Sequence, residues 1–130
     1  MKKRVSKQAQ RVAEKVDMAA RVDAAFAEAR LAAADAYEAY AATVIRDANG
    51  REIGPWGRTY VDVFVPSYRF RTALIEAEVI HSSNQGHWRM SDRLWQVNGF
   101  PRARGRGLIC EAVVAVLKRH FPQESIGTAS

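Results

Sequence analysis

Between residues 7 and 44 the chain contains no glycine and no proline, and alanine alternates with charged residues of both signs. Alanine gives up no side-chain entropy in a helix, and nothing in the segment breaks the backbone ladder, so one long helix is predicted there. About 38 residues at about 1.5 Å each reach about 57 Å. A compact domain of 130 residues is only about 36 Å across. An unbroken helix of this length exceeds what its own domain can cover: either it kinks, or its first turns project as an arm, or a second copy covers it. Val12, Val16, Ala19, Asp23, Phe26, Arg30, Ala33, Tyr37, Tyr40 and Val44 step alternately by four and three, the spacing of a coiled-coil seam. Asp23 and Arg30 interrupt it. In an antiparallel pair centred near Phe26, Asp23 of one copy would lie opposite Arg30 of the other, so a homodimer through the long helix is expected.

The remainder reads as strands followed by a second helix. Asn49-Gly50 is a type I′ turn signal and implies a hairpin directly after the first helix. Residues 59–65 alternate, with Tyr60, Asp62 and Phe64 on one side and Val61, Val63 and Val65 on the other, and Pro66-Ser67 ends the strand. Residues 71–80 fit a buried strand or a short helix. Their β-branched end and the turn-like residues 82–86 favour a strand, with residues 88–97 as its return and residues 98–101 closing it. Leu108, Ile109, Ala112, Val113, Val116 and Leu117 recur at helical spacing before Pro122, predicting a helix over 108–121. The expected fold is α+β: a long N-terminal helix, an antiparallel β-meander of three to four strands and a C-terminal helix. It forms one domain, with a basic tail at 1–6, the helix at 7–44, an α+β core at 45–122 and a loose tail at 123–130.

Twenty Lys and Arg against fourteen Asp and Glu leave a net charge of +6 and a pI near 9.9. That sign suits phosphates or acidic protein surfaces. The one cysteine, Cys110, excludes an internal disulfide and reads as a buried thiol in a reducing compartment. No apolar run has the length of a membrane span and the N-terminus is charged, so a cytoplasmic protein without membrane contact is expected.

Pro101-Arg102-Ala103-Arg104-Gly105-Arg106-Gly107-Leu108 is a basic, glycine-containing segment entering a helix. Free amides at a helix start and nearby guanidinium groups both attract anions, which makes Arg102, Arg104, Gly105, Arg106 and Gly107 the leading phosphate-binding candidates. The Pro-x-x-Arg-Gly-x-Gly-Leu pattern resembles the pyrophosphate loop of the GNAT acetyltransferases. The resemblance implies acetyl-CoA as cofactor and the backbone of residues 104–107 as its cradle. Ile109 stands where that family carries glycine or alanine, and only residues 125–128 are available for the strand that should follow.

Lys2, Lys3, Arg4, Lys7 and Arg11 form a second basic cluster, and Lys118 and Arg119 a third. Tyr68-Arg69-Phe70-Arg71 combines aromatics with arginines, a composition suited to single-strand binding if it is extended. His81 and His87 flank the turn at 82–86 but lack a third metal ligand. Glu76, Glu78, Asp92 and His81 are the nearest candidates for a general base, and no set of catalytic residues is complete. The leading expectation is a basic, non-catalytic binding protein that docks on nucleic acid or an acidic nucleoprotein surface and needs no cofactor. A GNAT-like acyltransferase and an inhibitor or assembly adaptor stand as alternatives.

Overall fold

The Ser6 hydroxyl accepts a hydrogen bond from the Ala9 amide and caps the start of helix α1, Lys7–Thr43, which runs unbroken as its composition implies. The computed structural model describes residues 6–53, 59–91 and 105–129. After α1 come β1 (Ile45–Arg46) and β2 (Glu52–Ile53), β3 (Tyr60–Phe64), α2 (Tyr68–Glu76), β4 (Ile80–Asn84), β5 (His87–Met90), α3 (Arg106–His120) and β6 (Ser125–Ala129). The class is α+β. β1 and β2 make the expected hairpin, but not on a type I′ turn: of Asn49 and Gly50 only Gly50 has a positive φ, 78°, and the Asp47 carboxylate organises the longer loop by accepting from the Asn49 and Arg51 amides. The other strands form one sheet in the order β4-β5-β3-β6, with every neighbouring pair antiparallel.

The middle of the long helix is covered from within its own chain, while residues 6–17 are exposed. Val22, Ala25, Phe26, Ala29 and Ala33 are its buried residues, and α3 packs along them in the opposite direction. Tyr40 of α1 lies against Gly105 at the start of α3, while Glu28 pairs with Arg119 and Arg21 donates to the His120 carbonyl at its end. Three alanines on the buried stripe let the helix axes approach closely. The opposite side of α3 presses on the sheet through Ile109, Val113, Val116 and Leu117, which share the core with Val61, Val63 and Ile126. The seam expected for a partner helix is thus divided. Phe26 and Ala33 belong to the core of their own chain, whereas Val12 and Val16 are exposed. A second copy centred on Phe26 would compete with α3 for the same residues.

Two expectations are corrected. Residues 71–80 do not form a continuous strand: Phe70, Ala73 and Leu74 are buried at helical spacing on α2, and the β-branched pair Val79-Ile80 belongs to the approach and first residue of β4. Extended pairing of Tyr68-Arg69-Phe70-Arg71 is excluded with it, because all four lie in α2. The segment expected as a loose tail at 123–130 is ordered through Ala129. Ser125–Ala129 pairs with the whole of β3, and Ile126 is buried in the core. The expected return strand at 88–97 is seen as far as Met90, and residues 92–101 lie outside the described residues.

A Schellman motif ends α2. The Glu78 amide donates to the Ile75 carbonyl and the Val79 amide to the Leu74 carbonyl, with Glu78 left-handed at φ 59°. Glycine is the usual residue at this position because a Cβ is strained there. Glu78 is exposed. Glu78→Gly should therefore stabilise the protein by about 0.5–1 kcal/mol, read as a higher urea midpoint with an unchanged slope.

Candidate functional site

The packing of α2 against the first turns of α1 brings two distant segments of sequence to one groove. It is lined by Arg11, Val12 and Lys15 from α1 and by Tyr68, Arg69, Thr72 and Ala73 from α2, and encloses about 470 Å³. On α1, Arg11 and Lys15 are one turn apart and share a face. On α2, burial of Phe70 and Leu74 turns Tyr68 and Thr72 outward, so that Tyr68 is 69% exposed. The Arg71 guanidinium stacks over the Tyr68 ring, 5.8 Å from its centroid.

Polar contacts across the groove orient its cations. Arg69 donates to the Arg11 carbonyl at 3.1 Å and pairs with Glu14 at 2.7 Å. Lys15 pairs with Glu76 at 2.8 Å. Arg11 is exposed, and its guanidinium has no carboxylate partner among the described residues. Three cations thus face two carboxylates, with Arg71 beside them. Both ion pairs are open to solvent, so each holds a geometry more than it adds stability.

The expected phosphate loop is placed differently. Arg102 and Arg104 lie outside the described residues, as do Lys2, Lys3 and Arg4. Gly105 caps α3 with φ 79°, and a Cβ there would come within 2.8 Å of the Tyr40 ring. The glycine is required both by its backbone conformation and by the aromatic ring against it. Arg106 is buried, and its Nε donates to the Thr59 carbonyl. Cys110, also buried, lies 3.6 Å from that same oxygen. Arg106 therefore ties α3 to the approach to β3. Gly107 is half-buried near Thr59. At the other end of α3, Lys118 is exposed and Arg119 pairs with Glu28. Of the basic residues singled out from sequence, Arg11, Arg69 and Arg71 come together, and Lys7 lies one turn before Arg11 on α1. Among the seam residues, Asp23, Arg30 and Ala19 lie on exposed parts of α1 and Tyr37 packs against the core.

Lys15 was not recognisable as a site residue until α2 was a helix, although its i+4 relation to Arg11 was a usable signal. A second pairing was equally hidden. His87 Nδ1 donates to the buried Asp62 carboxylate at 2.8 Å, on the face of the sheet opposite α3. The Phe64 ring lies 4.6 Å from the imidazole, and Arg89 stacks over Tyr60. The second oxygen of Asp62 is buried with no hydrogen-bond partner among the described residues. This pair fixes which nitrogen of His87 carries the proton and leaves Nε2 without a partner among the described residues. The two-residue turn Gln85-Gly86, with φ of 52° and 87°, places His87. Asp62, two residues from each aromatic on the same side of β3, lacked any sequence signal of a histidine partner.

Among the described residues no group of three His, Cys, Asp or Glu converges to hold a metal ion, and no helix is long and apolar enough to cross a membrane. No protein-family model, curated protein or solved structure matches the chain.

The hydrogen bond to Glu76, and then its negative charge, raise the Lys15 pKa above the ordinary 10.5. The ammonium side of the pair is accordingly fully charged below the ordinary lysine value, and its contribution to stability is lost as pH rises through the higher folded value. Observed by NMR at its Nζ, Lys15 should titrate above 10.5, and Glu76→Gln should bring it down. An unchanged titration in that variant would show the pair to be absent in solution.

Proposed function

We propose that this protein binds nucleic acid through the groove between α1 and α2. The observation that carries the reading is the convergence of Arg11, Lys15 and Arg69 around an open space that also exposes Tyr68. Cations alone are ordinary on a protein with a net charge of +6. Cations gathered about an exposed aromatic and an apolar wall match the two components of a nucleotide, phosphate and base. The phosphate contacts are assigned to Arg11 first, because no carboxylate competes for it among the described residues, and then to Lys15 and Arg69, which Glu76 and Glu14 hold in place. Binding needs no cofactor.

The acyl-CoA alternative has less behind it. The Arg106 side chain is engaged with Thr59 and the Tyr40 ring lies against Gly105, which withdraws that guanidinium from a pyrophosphate and sets an aromatic ring beside the proposed cradle. The strand at Ser125–Ala129 answers one departure from that family's order of elements, while Ile109 is fully buried in the core.

Fluorescence anisotropy with a short labelled oligonucleotide tests the proposal. Three phosphate contacts correspond to a loss of affinity of roughly 20-fold between about 50 and 200 mM salt. Arg11→Glu should weaken binding by about tenfold at low salt. Glu14→Gln and Glu76→Gln, which each remove a carboxylate competing with phosphate, should tighten it by roughly two- to threefold. Affinity indifferent to salt and to all three substitutions would end the proposal.

A further inference from the structure

We infer that the groove selects unpaired nucleotides, taking one base against Tyr68 while the strand's phosphates run along Arg11, Lys15 and Arg69. The inference rests on the nucleic-acid reading and specifies the class of ligand.

The shape of the site argues first. A volume of about 470 Å³ lies toward the lower part of the roughly 300–1,000 Å³ range of small-ligand pockets and is on the scale of one nucleotide. The groove is concave and bounded by two helices. A duplex is a convex rod with its bases stacked inside, and could touch only the rims. A single strand can turn a base inward while its backbone follows the cations.

The aromatic argues second. Tyr68 is 69% exposed, although its neighbour Phe70 is buried completely, so this ring contributes little to the core. Arg71 covers one of its faces. One guanidinium cannot occupy both, and a base stacked on the other face would complete a base–tyrosine–arginine sandwich. Val12, 56% exposed on the same groove, supplies an apolar edge for the base, and the Thr72 hydroxyl a polar one.

The charge of α1 argues third, against the usual way a helix binds duplex. A recognition helix enters the major groove between two rows of phosphates. Between Lys7 and Thr43 there are six carboxylates and five cations, so α1 as a whole would be repelled there. Only the stretch at Arg11 and Lys15 is locally basic, and it is basic through the company of α2.

The decisive experiment uses the full chain and three probes of matched length: a fluorescein-labelled 12-nucleotide single strand, the corresponding duplex, and an acidic peptide. At about 50 mM salt the single strand should bind about tenfold or more tightly than the duplex. Tyr68→Ala should weaken single-strand binding by roughly 5- to 100-fold, the range of one lost stacking contact. It should leave the salt slope and duplex binding unchanged, and Tyr68→Trp should restore affinity. Photocrosslinking of a 5-iodouracil strand, mapped by mass spectrometry on the unsubstituted protein, should label Tyr68 and so gives a readout independent of any variant's folding. Equal binding of duplex, equal competition by the acidic peptide, or crosslinks confined to other residues would overturn the inference. If Arg11→Glu still weakens binding in that case, the groove binds polyanions by charge alone and the broader proposal survives. If neither Arg11→Glu nor salt affects any probe, both fail together.

Discussion

Everything described depends on the contact between the alanine stripe of α1 and the apolar face of α3. Ala25, Ala29 and Ala33 present almost no side-chain bulk, so α3 can lie close enough for Phe26, Val113 and Leu117 to share one core. The second side of α3 then supplies the floor on which β3 and β6 rest. Burying a side chain the size of Leu117 is worth roughly 2 kcal/mol, and removing one from such a core costs about 2–5 kcal/mol because the neighbours relax only partly. The geometry of the groove follows from the same contact. With the middle of α1 fixed to α3, its first turns extend beyond that interface, and α2 is the element that meets them.

The elements legible in the sequence were those whose residues interact within themselves. The long helix follows from alanine content and the absence of breakers, β3 from strict alternation, and α3 from its apolar spacing. The hairpin follows from the turn residues at Asn49-Gly50, although its loop is longer than the type I′ turn they signal and only Gly50 takes a positive φ. Elements decided by tertiary contact were read less well. Leu74, Ile75, Val79 and Ile80 look continuous in sequence, but a left-handed Glu78 divides them between a helix and a strand, and no residue preference announces glutamate in that conformation. Ser125–Ala129, with a glycine at its centre, has little strand propensity of its own and is held by five paired positions on β3.

Legibility of the site follows the same division. Arginine was recognisable as a cation wherever it occurred, yet its position after folding was not. Arg106 stood in the most basic stretch of the chain and is turned inward onto the Thr59 carbonyl. Arg11 and Arg69 stood far apart and meet across a groove. A basic residue at a helix start can serve an anion or can satisfy a carbonyl that the sheet leaves unpaired. The choice depends on whether a strand end lies within reach, which sequence alone does not disclose.

The contact of Tyr40 with Gly105 has a consequence for the order in which the chain can become organised. The last turn of α1 and the first turn of α3 are locked together by a ring that tolerates no side chain opposite it. Everything between them, hairpin, β3, α2, β4 and β5, is an excursion that leaves from and returns to this point. Closing so long a loop carries an entropic penalty that grows only slowly with length, so the excursion can vary in size more readily than the junction can vary in composition. The tyrosine–glycine contact is therefore a clasp: it sets where the strands must depart and rejoin, while leaving the path between open to change.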